Sequence, residues 1–116
     1  MDSINFTHKT DSKLDCEIVH FPNANFKLDS GDSINDLNIA FKTFGKLNTK
    51  KNNAILICHA LTGDQYVSGT NPITGREGWW SRMVGPNKPI DTNKFYVICS
   101  NVLGGCSGST RPKEIN

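Results

Sequence analysis

Residues 53–64 read NAILICHALTGD, an apolar run that ends abruptly in a polar turn beginning at His59. A run of this length, bounded by turn residues, is typical of a strand buried on both faces, as parallel sheets require. In open α/β sheets, the loop after such a strand is where ligands bind. We therefore expect the rest of the chain to be sheet leading to this strand, or loop arranged around its end.

A second apolar run, 95–99, follows a turn at 89–93. The connection between the two runs is long enough for a parallel crossover, so we predict that they are parallel neighbours. Residues 62–93 between them are rich in Gly, Pro, Asn and Thr, and only 79–84 are compact enough to predict a short helix. A loop of this length in a compact domain is usually functional.

The amino-terminal part predicts a small antiparallel meander. Residues 1–15 are polar and unpatterned, which indicates a mobile arm before a single domain over 16–116. Residues 17–21 and 25–28 predict short extended segments. In 37–44 the set Leu37, Ile39, Phe41 and Thr43 alternates with Asn38, Ala40, Lys42 and Phe44, which is typical of a strand with one buried face.

The composition excludes several classes of protein. A net charge of +2 over 116 residues, with no basic stripe, argues against a nucleic-acid partner. The first 16 residues hold no apolar block, and no run approaches the ~20 residues that span a bilayer, so we expect a cytoplasmic protein without membrane contact. The four cysteines lack metal-ligand spacing, so neither a metal site nor a disulfide framework is expected.

The inventory of elements indicates an incomplete domain. Two strands that are apolar on both faces need helices on both sides of the sheet. The sequence offers one short helix candidate and no long amphipathic helix. We therefore expect an α/β fold of which only part is present.

Two motifs invite a catalytic interpretation. The segment Gly105-Cys106-Ser107-Gly108-Ser109 resembles the G-x-S-x-G elbow, but Ser109 stands where the second glycine belongs, which favours a tight glycine loop. A lone histidine at a strand end, such as His59, is more often structural than catalytic. A cysteine nucleophile, Cys99 or Cys106 acting with His59, stays open as an alternative.

The backbone after the first apolar run offers different chemistry. In hydrolase-type sheets, one oxyanion-hole N–H comes from the loop after the third strand. Such a donor must be a free amide with small neighbours, so that a substrate carbonyl can approach. Leu61 is the best-placed donor in residues 59–63.

These motifs together resemble homoserine O-acetyltransferase of the α/β-hydrolase type. The resemblance covers residues from about Phe26 onward. It rests on HALTGD at 59–64, GWW at 78–80, GP at 85–86, DTNKF at 91–95, and NVLGGC with GST at 101–106 and 108–110, preceded by FKTFGKLN at 41–48.

The resemblance implies an enzyme of methionine biosynthesis with no bound cofactor. Acetyl-CoA would acylate a serine, and the acetyl group would pass to L-homoserine through a Ser-His-Asp triad. A homodimer is implied for the intact enzyme. By position, Leu61 would supply an oxyanion-hole donor, and its loop would be shaped by His59, Ala60, Thr62 and Gly63.

The resemblance also places the triad serine, acid and histidine beyond Asn116. We therefore expect the amino-terminal part of such a domain, cut before the nucleophile elbow and inactive alone, in which Ser107 and Ser109 are not nucleophiles. Arg111 stands where the family usually has glycine. The alternatives are a related serine or homoserine O-succinyltransferase, a non-catalytic remnant or binding module, and the Cys–His hydrolase.

Overall fold

The computed structural model describes residues 5–111, which form strands joined by turns and loops and contain no helix. None of these residues therefore forms a helix able to cross a membrane. The strands are β1 (Thr7–Asp11), β2 (Cys16–Phe21), β3 (Phe26–Lys27), β4 (Ser33–Ile34), β5 (Leu37–Phe44), β6 (Ala54–Ile57), β7 (Val84–Gly85), β8 (Ile90–Asp91) and β9 (Tyr96–Ser100).

Five strands form the main sheet in the order β1-β2-β5-β9-β6. The pairs β1–β2, β2–β5 and β5–β9 are antiparallel, and β6 and β9 are parallel, with Ile57 opposite Cys99. The predicted antiparallel meander and the predicted parallel pair are confirmed. Because parallel strands end at the same edge of a sheet, the loops after β6 and β9 emerge side by side.

The core consists of two small clusters. One joins Ile57 on β6 and Val97 and Cys99 on β9 to Val67 and Val84 from the intervening loop. The other contains Cys16, Ile18 and Ala40, with Leu14 packed against it. The first cluster lies under the parallel pair and fixes where the two strands end.

The fully buried residue of β5 is Ala40, from the more polar of the two alternating sets, while Leu37, Ile39 and Phe41 are only half-buried. The reason is the glycine-rich loop after β9, which returns across this strand. An added Cβ on Gly108 would lie 2.9 Å from the Ala40 Cβ, and Gly108 has φ +114°. Tertiary contact with this loop therefore decides which face is buried.

The prediction of an unstructured arm over residues 1–15 is wrong for β1, which pairs with β2 over its whole length. Its side chains are almost all exposed, so it carries no apolar alternation that could reveal it. Backbone pairing and surface contacts hold it, including His8 Nε2 at 2.7 Å from the Glu17 carboxylate. Residues 1–4 lie outside the described part.

The predicted helix over residues 79–84 is also wrong, because residues 79–83 form turns and Val84 begins β7. The N–H of Trp80 donates to the Val67 carbonyl at 2.9 Å, and the N–H of Trp79 to the Tyr66 carbonyl at 3.3 Å. These amides bond to a distant segment, and the chain then enters β7, which pairs with β8. The intervening loop is therefore ordered by tertiary contacts.

The strand β6 forms one edge of the sheet within the described residues. The expectation that it is buried on both faces is wrong here, since Leu56 is 67% exposed while Ile57 is 7% exposed. An apolar edge strand with free backbone groups is a template for association with another chain.

We expect the 116-residue chain to self-associate through β6. Leu56→Lys should reduce this association at little cost in stability, because the side chain is already exposed and a charge on an edge strand opposes pairing. Sedimentation velocity and light scattering measure the effect. Leu47→Lys, at another exposed leucine in the loop before β6, is the matched control. Equal association of both variants and the original chain would contradict the prediction.

Candidate active site

The loops after β6 and β9 enclose a cleft of about 390 Å³ at the carboxyl end of the parallel pair. One wall comes from residues that follow β6 and the other from the glycine-rich loop. The cleft is lined by His59, Leu61, Thr62, Gly63 and Asp64 on one side and by Val102, Leu103, Gly104, Gly105, Cys106 and Ser107 on the other. The structure thus brings four of the five predicted loop residues to one cleft, and the fifth, Ala60, does not line it.

Leu61 lies at the tip of a tight turn closed by the Gly63 N–H, which donates to the Ala60 carbonyl at 2.8 Å. Leu61 is 97% exposed. Its N–H finds no acceptor among the described residues. A free amide beside a cleft, on a turn fixed at both ends, can donate to a carbonyl oxygen that enters the cleft.

His59 holds the two walls together. Its Nε2 accepts a hydrogen bond from the Val102 N–H at 3.2 Å, so this nitrogen carries no proton. Nδ1, at 2.7 Å from the Ala60 carbonyl, must then be the protonated nitrogen and donate to it. Both ring nitrogens are engaged, so the imidazole is a clamp and has no free lone pair to act as a base.

Gly63 is required by close packing. An added Cβ would lie 2.9 Å from the His59 Cβ and 3.2 Å from the Ala60 carbonyl oxygen. The His59 ring can therefore fold back over the turn only because residue 63 has no side chain. Thr62, beside it, is exposed at the cleft.

Asp64 is the last residue of the exposed loop, and the buried segment 65–67 follows it. Its carboxylate accepts hydrogen bonds from the Tyr66 N–H at 2.9 Å and from the Asn71 side chain at 3.3 Å. Its carbonyl accepts one from Trp79 Nε1 at 2.9 Å. Gln65, Tyr66 and Val67 then follow with at most 1% exposure. The loop is open to solvent, but the residues that follow it are fixed.

The opposite wall is held against β5. The Thr110 N–H donates to the Asn38 carbonyl at 2.9 Å, and the Asn101 N–H donates to the Ala40 carbonyl at 2.7 Å. Ser109 is 1% exposed, and its Oγ donates to the Asn101 carbonyl at 2.6 Å while accepting from the Ala40 N–H at 3.0 Å. That hydroxyl is committed to structure, which agrees with excluding Ser109 as a nucleophile.

A cysteine nucleophile is not supported by this geometry. Cys99 is fully buried, and burial, together with Cys58 and Asp64 nearby, raises the pKa of its thiol to about 11. It therefore stays protonated at neutral pH. Cys106 is exposed in the cleft, but the only histidine that lines the cleft has no free nitrogen to activate it.

Reasoning from the sequence missed the residues that hold the loop: Asp64 as a cap, Trp79 as a donor, and the buried Gln65 and Asn101. Trp79 bonds to Asp64 across 15 residues and Gln65 bonds to Ser107 across 42, so no local pattern could have found these two bonds. The bond from the Tyr66 N–H to the Asp64 carboxylate spans only two residues, and the aspartate is a local turn signal for it.

No family model matches the chain. Curated homoserine O-acetyltransferases do match it. The one from Rhodospirillum rubrum is 60% identical over 93 residues, which are 80% of this chain and 24% of the relative. The one from Pelagibacter ubique is 63% identical over 90 residues, 78% of this chain and 24% of the relative. The one from Gluconobacter oxydans is 50% identical over 113 residues, which are 95% of this chain and 26% of the relative. The predicted resemblance is confirmed, and the chain spans about a quarter of the length of the curated relatives it matches.

Solved structures agree with this result. A homoserine O-acetyltransferase from Bacillus anthracis aligns with TM-score 0.65 and 31% identity over 78% of this chain and 24% of its own. Esterase E22 aligns with TM-score 0.67 and 27% identity, over 87% of this chain and 25% of its own. These are α/β-hydrolase-fold proteins, so the predicted fold class is confirmed, and the chain corresponds to part of such a domain.

The four thiols should differ in their reactivity according to their burial. Iodoacetamide at neutral pH is expected to label Cys58 and Cys106, which are exposed, and to spare Cys16 and Cys99, which are buried and whose pKa values burial raises. Intact-mass measurement and peptide mapping count the labels, and a denatured sample labelled at all four is the control. Rapid labelling of Cys99 in the native protein would contradict the described packing.

His59 and His8 should differ at Nε2, which accepts a hydrogen bond in His59 and donates one in His8. His59 is expected to carry its proton on Nδ1, because Nε2 accepts from a backbone N–H. His8 is the matched control, since its Nε2 faces a carboxylate and must donate. A long-range ¹H–¹⁵N spectrum distinguishes the two forms. Finding the Nε2–H form at His59 would show that the imidazole does not join the two loops.

Proposed function

We propose that these residues supply half of the oxyanion hole of an acyltransferase of the homoserine O-acetyltransferase type. The observation that carries the proposal is the free N–H of Leu61, held on a fixed turn beside an open cleft. The similarity to curated homoserine O-acetyltransferases supports the reaction class. In that reaction a serine is acylated and then passes its acyl group to an acceptor hydroxyl.

The Leu61 amide would act twice in each cycle. Attack on the acyl carbonyl moves negative charge onto its oxygen, and a fixed N–H stabilises that oxyanion more than the starting carbonyl. The same carbonyl oxygen becomes an oxyanion again when the acceptor hydroxyl attacks the acyl-serine. The donor therefore lowers the barrier of both half-reactions. His59 would orient the turn without taking part in proton transfer.

The nucleophile, its acid and its base would come from residues outside these 116. We infer that the chain alone is inactive, since Ser109 is committed to structure and His59 is engaged at both nitrogens. The proposed donor is acetyl-CoA and the proposed acceptor is L-homoserine, in methionine biosynthesis. Succinyl-CoA as donor and serine as acceptor are the alternatives to compare. A cytoplasmic homodimer is proposed from the resemblance alone.

Replacing the backbone donor tests the proposal. In the full-length product of the gene that encodes these residues, Leu61→Pro removes the N–H and should lower kcat by about 10²–10³-fold. Leu61→Ala keeps the N–H and removes only an exposed side chain, so its kcat should stay close to that of the original enzyme. Release of CoA from acetyl-CoA in the presence of L-homoserine measures the reaction.

Equal loss in both Leu61 variants would show that the side chain matters and the amide does not. If none of the four combinations of donor and acceptor gives acyl transfer, the proposed reaction class is rejected. A burst of acylation of the 116-residue chain by acetyl-CoA would contradict its inferred inactivity.

A further inference from the structure

We propose that Gln65 is a positioning residue that sets the width of the cleft at Leu61. This inference rests on the proposed function. Gln65 Nε2 donates a hydrogen bond to the Ser107 carbonyl at 2.8 Å, and Ser107 belongs to the opposite wall. Gln65 itself does not line the cleft and would act only through the residues it connects.

Two side-chain bonds join the cleft walls, and they bracket the donor. His59 accepts from the Val102 N–H, and Gln65 donates to the Ser107 carbonyl. In the sequence, Leu61 lies between His59 and Gln65. The opposing wall lies between Val102 and Ser107. With one bond the walls could pivot about a hinge, whereas two separated bonds fix their spacing along the whole cleft.

The burial of Gln65 supports a specific role. The residue is fully buried, and its Oε1 has no donor among the described residues. A buried amide oxygen without a partner is costly, and such groups in folded proteins call for an explanation. Methionine has a similar length and volume and carries no such cost. The benefit that offsets this cost is the bond from Nε2 to Ser107, since the other contact of Nε2 is a weak one with Cys16 Sγ at 3.6 Å.

The adjacent residue offers a matched comparison. Tyr66 is equally buried, and its hydroxyl donates to the Leu14 carbonyl, in the turn between β1 and β2. That bond ties the same segment to the amino-terminal hairpin and does not reach either wall of the cleft. Tyr66→Phe therefore removes the buried hydrogen bond to Leu14 and the contact of the same hydroxyl with Cys16, and it removes no bond to either wall of the cleft.

The expected signature is a change in rate without a change in binding. If the Ser107 wall shifts, the carbonyl that enters the cleft is no longer held at the best distance from the Leu61 N–H. A fixed donor contributes mainly in the transition state, so kcat falls while KM stays nearly constant. A purely structural role would instead lower thermal stability and leave kcat of the folded enzyme unchanged.

The test uses the full-length gene product with acetyl-CoA and L-homoserine. Gln65→Met should lower kcat by about 10-fold, with KM and Tm unchanged or Tm raised. Tyr66→Phe should lower Tm and leave kcat unchanged. The inference is overturned if Gln65→Met keeps the original kcat. It is also overturned if Tyr66→Phe lowers kcat by as much as Gln65→Met does.

A second readout separates failure of this inference from failure of the proposed function. If the original enzyme transfers no acyl group, the proposed function fails, and ¹H–¹⁵N spectra then decide the role of Gln65. Gln65→Met should shift the amide signals of Leu61 and Ser107 and speed hydrogen exchange at Val102, whereas Tyr66→Phe should not. Unchanged signals would show that Gln65 does not connect the two walls.

Discussion

The parallel pairing of β6 with β9 is the constraint on which the rest of the structure depends. Ile57 lies opposite Cys99, so the two strands end together and their loops leave the sheet at the same edge. A slip of one residue would turn every side chain of β6 to the other face and remove Ile57 from the core. The cleft, the clamp by His59 and the bond from Gln65 to Ser107 all require this register.

The site combines exposure with rigidity, two properties that oppose each other. A donor for a substrate must be open to the cleft, and Leu61 is 97% exposed. Exposed loops are mobile unless something fixes them. Here the fixing groups lie at both ends of the loop: the strand residue Ile57 before it and the buried segment 65–67 after it. The amide can be accessible because the residues that hold it are not.

The sequence predicts the elements whose signal is local and misses those held by distant partners. The runs of β5, β6 and β9 and the parallel relation of the last two follow from periodicity and spacing. The donor position follows from the turn and the resemblance, and its role stays a prediction. The strand β1 gives no signal in the sequence, because an exposed edge strand has no apolar pattern. The prediction of a helix over 79–84 fails because the amides of Trp79 and Trp80 bond to residues 66 and 67, which periodicity cannot reveal.

The exposed edge of β6 and the open turn at Leu61 share a physical origin. Leu56 is exposed because no described strand lies beyond β6, and Leu61 lies in the loop that follows that same strand. A parallel strand added to this edge would cover the free backbone groups of β6. Its own following loop would emerge beside the Leu61 turn, since parallel strands end together. If Leu61 is the proposed donor, a strand that completes the sheet would therefore also bring its following loop to that donor.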